Sequence, residues 1–217
     1  MPSFSALARA AYCPRQLYYA RKHDEQEPPS EVAAIKRLAF RYAELETASD
    51  ETLSSLPIDV TPTSYRAALR TLTTRDDWEG LCDPVKQEYV VEGKDCHGVV
   101  HKLLAGDPPT PTLVSPGKPP ETGVWEPQTV RAVAAAKAVA WERSEEIPQA
   151  LVEYPAVGKV RTVPLTTRRT ATYRRVLRTV RSMDGPPARV NDSRCDSCEY
   201  RTECGVETNS LKSLLGL

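Results

Sequence analysis

The feature that most constrains this chain is the placement of four of its six cysteines. Cys195, Cys198 and Cys204 form a C-x2-C-x5-C run near the C-terminus, and Cys13 stands in Tyr12-Cys13-Pro14-Arg15 near the start. A triad with one remote partner predicts a site that staples the two ends of the chain together. Four thiolates suit a tetrahedral zinc ion or an iron–sulfur cluster, since both are soft acceptors that take about four sulfur ligands. Zinc sites more often draw on two C-x2-C pairs, and no second pair exists here, so the three-plus-one layout favours a cluster. Burial in an ordinary core fits poorly, because core cysteines prefer apolar neighbours and the triad is interleaved with Arg194, Asp196, Glu199 and Arg201. Cys82 has no partner nearby in sequence and reads as a packing residue.

At 217 residues the chain can bury a core without relying on a staple for size. Residues Met1 to Leu7 lack the basic region, apolar stretch and cleavage site of a secretory leader, which predicts a cytoplasmic protein without structural disulfides. The longest apolar stretch, Val130 to Trp141, is broken by Arg131 and Lys137 and is too short to span a bilayer, so no membrane role is expected. Basic and acidic residues balance over the whole chain, but their distribution is uneven. Lys159 to Arg194 is strongly cationic, with Arg168, Arg174, Arg175, Arg178 and Arg181 close together, whereas Asp24 to Asp59 leans acidic.

Ser3 predicts the cap of a helix running through Leu7, Ala11 and Leu17, with Pro28-Pro29 as a stop beyond it. After a Ser30 cap, Val32, Ile35, Leu38, Ala39, Tyr42 and Leu45 fall at the spacing of one further helix, and Ser64 to Leu72 reads as a third before a turn at Asp76-Asp77. From Val85 the pattern changes to strands. Tyr89-Val90-Val91 and Val99 to Leu104 flank a Gly93-Lys94-Asp95 turn, and Thr112-Leu113-Val114 follows as a short third strand. Glu126 to Glu142 is an alanine-rich helix with Pro127 at its start. A second hairpin, Ala150 to Tyr154 and Val160 to Leu165, leads into a helix over Thr167 to Met183. On that helix Tyr173, Val176, Leu177 and Val180 form the inner stripe and the arginines take the remaining circumference. The expectation is one α/β domain over 1–217, with a helical part over 1–78, a sheet-and-helix core over 85–183 and a cysteine segment over 184–217.

This element order, with Tyr12-Cys13-Pro14-Arg15 and Tyr18-Tyr19 in front and Cys195-Asp196-Ser197-Cys198-Glu199-Tyr200 through Cys204 behind, resembles the CRISPR-associated exonuclease family. These are iron–sulfur RecB-like members of the PD-(D/E)XK superfamily. The resemblance implies a RecB-like α/β nuclease core and a [4Fe-4S] cluster on Cys13, Cys195, Cys198 and Cys204. It also implies DNA, single-stranded included, as a partner, with CRISPR adaptation proteins beside it. Nuclease chemistry of this kind needs carboxylates from a sheet to hold Mg2+ or Mn2+ near a lysine.

The chain departs from that pattern. Gly98-Val99-Val100-His101 puts histidine where the family has aspartate, and Leu113-Val114 leads into Ser115-Pro116-Gly117-Lys118 in place of Glu-x-Lys. Tyr42 stands for a family histidine, and the Gln-x-x-x-Tyr signature becomes Gln128 with Ala132. The expectation is a degenerate member that keeps DNA binding with nuclease activity reduced or lost. If hydrolysis persists, the residues for it are His101 and Asp107 as ligands, Lys118 on the phosphate and Gln128 beside them. Asp107 also reads as a turn residue and Glu126 as a charge favoured at a helix start. His97 and His101, four apart on a strand beside Cys96, are too widely spaced for a site of their own. Arg168, Arg174, Arg175, Arg178 and Arg181 would meet phosphates, and Tyr18 and Tyr19 would stack on bases or simply pack. A redox-responsive regulatory module and a zinc-stabilised scaffold are the alternatives.

Overall fold

The computed structural model describes residues 1–23, 30–190 and 192–205. The Pro28-Pro29 stop lies outside them, as does the side chain of Ser30. Ser3 accepts a hydrogen bond from the Ala6 N–H and starts helix α1, Phe4–Tyr12. The single helix expected through Leu17 is two. Pro14 disfavours a helical conformation in the residue before it, so Cys13 is extended (φ −157°, ψ 113°), closing α1 and opening α2, Pro14–Lys22.

The next predicted helix is also split, into α3, Ser30–Leu38, and α4, Tyr42–Glu46. Between them Ala39, Phe40 and Arg41 tighten into bonds to the third residue back, and the Ala39 carbonyl turns to the side chain of Lys102 at 2.6 Å. In the N-terminal half two short helices escaped the sequence reading: α5, Asp50–Ser54, capped by Ser49, and α7, Trp78–Cys82. Between them α6, Pro62–Thr73, begins two residues before the predicted Ser64, with Thr61 as cap and Pro62 at its first position.

The strands follow the predicted order: β1, Lys86–Glu92; β2, His97–Leu104; β3, Thr110–Val114; β4, Gln149–Tyr154; and β5, Lys159–Pro164. They form one mixed five-stranded sheet in sequence order. The β1–β2, β2–β3 and β4–β5 pairs are antiparallel and β3–β4 is parallel. A parallel pair needs a long crossover. Here it contains α8, Glu126–Arg143, whose interior of valines and alanines is buried on nearly every side. Such a helix must lie between two apolar layers. One layer is the sheet; the other is α1 with α9, Thr167–Arg181. The opposite sheet face packs against the α3–α7 helices through Leu38, Leu45, Leu53, Leu69, Leu81, Leu104, Val114 and Leu151. No helix among the described residues is long and apolar enough to cross a membrane.

Candidate metal centre and nucleic-acid face

The break at Cys13 turns its side chain towards the C-terminal segment. Cys13, Cys195, Cys198 and Cys204 line one cavity, walled by Tyr19, Val190 and Tyr200 and rimmed by Arg15 and Arg201. All four are free thiols and partly buried. Burial pushes the Cys198 thiol above its ordinary value, and the charges of Cys13 and Cys195 push the same way. Bonds across the ends of the chain hold the arrangement. Arg15 donates to Pro187 O at 2.7 Å, Arg194 to Tyr12 O, and Tyr19 Oη to Glu203 O at 3.2 Å. Lys22 and His23 both reach the Glu203 carboxylate, at 2.6 and 2.7 Å. Among the described residues no group of three or more His, Cys, Asp or Glu is disposed to hold a single metal ion. A lone zinc would require four sulfurs about 2.3 Å from one centre. A cubane takes each thiolate on a different iron and so spaces the sulfurs more widely. Four soft donors around one cavity are chemically suited to a cluster or a zinc ion, either of which would bind through Cys13, Cys195, Cys198 and Cys204.

Tyr19 is buried, stacked on Tyr200 with ring centroids 5.7 Å apart, and Tyr18 meets its edge at 5.4 Å. Tyr19 and Tyr200 wall the cysteine cavity and Tyr18 packs against them.

The residues expected around a divalent ion are not gathered. His101 is buried, and its Nδ1 accepts the Val114 N–H at 3.1 Å, so the ring is neutral with its proton on Nε2. Burial, with the charges of Arg131, Lys36 and Lys102, lowers its pKa to about 2. Arg131, from α8, donates to Val114 O at 3.2 Å, and burial brings its own pKa down to about 10. Gln128 points its amide at Ser115 Oγ, 3.5 Å away, and its Oε1 has no hydrogen-bond partner. Asp107 is exposed in the β2–β3 connection, at the end of β3 remote from Val114. Lys118 is exposed, 3.9 Å from Asp59. A neutral imidazole beside a buried guanidinium is a poor host for a hard cation. A divalent ion of the kind the resemblance implies does not fit these residues.

On the other sheet face lies a cluster the sequence reading missed. Lys102 on β2 and Glu153 on β4 are fully buried and paired at 2.8 Å. The ammonium also donates to Ala39 O at 2.6 Å and Leu81 O at 2.7 Å, which uses all three of its protons. The rings of Tyr42 and Phe40 lie 4.7 and 5.2 Å from it. Glu153 accepts from Thr112 with its other oxygen. Burial, reinforced by Glu153, pushes the Tyr42 phenol well above its ordinary value. Directly opposed Lys102 and Thr112 present to this face what two neighbouring strands offer, and they offer an ammonium and a hydroxyl. Glu153 is the one buried carboxylate among the described residues, and it is committed to Lys102. The available signal was a lone charge inside an apolar strand: Lys102 in Val99 to Leu104 and Glu153 in Ala150 to Tyr154.

On α9 the buried Tyr173, Val176, Leu177 and Val180 separate two exposed flanks. At 100° per residue, Arg174, Arg178 and Arg181 share one flank, and Arg168 and Arg175 share the other. Arg181 pairs with Asp95 at 2.8 Å and Arg175 with Glu126 at 3.2 Å. Arg168, Arg174 and Arg178 are exposed and form no ion pair with the described residues. No known protein-family model matches this chain, and no curated protein matches it.

Proposed function

We propose that this chain is an iron–sulfur DNA-binding protein built on a RecB-like PD-(D/E)XK core, related to the CRISPR-associated exonucleases, with its nuclease site lost. The observation that carries the reading is the convergence of Cys13 with Cys195, Cys198 and Cys204 on one cavity. The three-strand meander, crossover helix and parallel fourth strand agree with such a core. The cluster's part is structural: it would clamp the 184–205 segment onto α1 and α2, beside the cationic α9. Arg168, Arg174 and Arg178, which form no ion pair with the described residues, supply charge for phosphates. The β2 position where the resemblance expects a carboxylate carries His101, buried and neutral beside Arg131, which supports binding without cleavage.

The test is binding of single-stranded and duplex DNA to anaerobically purified protein across a salt series, with Mg2+ or Mn2+ present and product length followed. The reading expects affinity that falls steeply with salt, weakens in Arg174→Ala/Arg178→Ala, and leaves the DNA uncut. Cleavage dependent on a divalent ion would contradict the lost site. Absence of DNA binding by cluster-loaded protein would turn the reading to a redox-responsive or scaffold module.

A further inference from the structure

Trp125 is unusual among the large side chains, being half exposed at 52% yet fixed in place. It is the residue before the first turn of α8, and its indole Nε1 donates to Lys118 O at 2.9 Å. It lines a cavity of about 830 Å³ together with Ala8, Ala11, Tyr12, Gln128 and Arg175. A second cavity of about 300 Å³ shares Ala11, Tyr12, Glu126, Arg175 and Arg194 with the first and continues past Thr179 to Val190. The two make one trough that runs from the start of α8 to the cysteine segment.

We infer that this trough is a binding site for single-stranded nucleic acid, with an unpaired base stacked on Trp125 and the adjoining phosphate on Arg175; the inference rests on the DNA-binding reading above. Three features of the lining select that ligand. Around Trp125 the wall includes Tyr12, Ala8, Ala11 and Pro127, which suits the π-face of any base. Arg175 makes one monodentate contact to Glu126 at 3.2 Å, which leaves guanidinium protons for a phosphate oxygen. Arg168 lies two helical turns back on the same flank of α9, about 10 Å along the axis, in position for a further phosphate. A duplex keeps its bases stacked inside and could not use Trp125. Glu126 is the internal competitor: its carboxylate holds Arg175 until a phosphate takes its place, so removing that charge strengthens binding.

The experiment measures anisotropy of a labelled thymidine oligonucleotide and quenching of intrinsic fluorescence on the full-length protein. Trp125→Ala is expected to weaken binding about tenfold or more, the scale of losing one aromatic stack. Trp125→Phe keeps most of the affinity while losing much of the quenching, and Glu126→Gln binds more tightly than the parent. Duplex binding is unchanged by Trp125→Ala. Full affinity and full quenching in Trp125→Ala overturn the inference, as does weaker binding in Glu126→Gln. If Trp125→Ala is silent while Arg174→Ala/Arg178→Ala loses affinity, the trough falls and the DNA-binding reading stands. If the parent protein binds no oligonucleotide, both fall.

Discussion

His101 and Lys102, neighbours on β2, show how burial decides what a polar side chain can do. His101 must be neutral to accept the Val114 N–H. Its folded pKa of about 2 lies below the ordinary value of 6.5, so between those values the unfolded chain takes up a proton that the folded one refuses. Folding stability therefore falls on acidification through that window, with a slope approaching about 1.4 kcal/mol per pH unit. Urea unfolding between pH 7 and 5 should show that slope in the parent, and His101→Gln should flatten it while lowering stability at pH 7. Lys102 and Glu153 are costly to desolvate and are held by a complete set of partners. Glu153→Leu alone strands an ammonium and should cost about 3–5 kcal/mol. Lys102→Met/Glu153→Leu together should recover much of that loss in urea titrations. A double variant no more stable than Glu153→Leu would mean that the pair itself, and not the stranded charge, sets the cost.

At the scale of elements, the placement of α1 depends on a missing side chain. A Cβ on Gly98 would come within 2.4 Å of the Phe4 ring, so β2 accepts α1 only with glycine there. Gly98→Ala should push α1 off the sheet, costing about 1–3 kcal/mol. Because α1 ends at Cys13, the same substitution should also lower metal retention, which thermal melting and metal content of one preparation would report together. Elements governed by local rules were legible in the sequence: Ser3 as cap, the strands of both hairpins, and the Glu126 and Thr167 helices. The breaks were less so. Pro14 signalled the one at Cys13, whereas the one at Ala39 is made by Lys102, which is 63 residues away in the chain and takes the carbonyl. The short helices α5 and α7 hold five residues each, too few for a hydrophobic period to show. In the site, the cysteine set could be read from spacing alone. The caged lysine needed the strand register, and Trp125 needed to be seen exposed.

Across the whole molecule, the described 192–205 segment is held against α1 and α2 beside a core that closes without it. The sheet and its two helical layers bury their apolar faces without the cysteines. The cysteine segment instead packs a small cluster of its own, Tyr19, Ala20 and Tyr200 with Cys198 and Cys204. That division puts the proposed cluster outside the main core, where it would order the segment that borders the trough and not the fold as a whole. Metal loss should therefore leave the α/β core folded. The central claim is tested most directly by measuring iron, acid-labile sulfide and zinc in anaerobically purified protein beside its Cys13→Ser and Cys198→Ser variants. The account predicts a brown protein with roughly four irons and matching sulfide per chain, lost in both variants while secondary structure persists. Stoichiometric zinc without sulfide, or iron retained after removal of either cysteine, would contradict it.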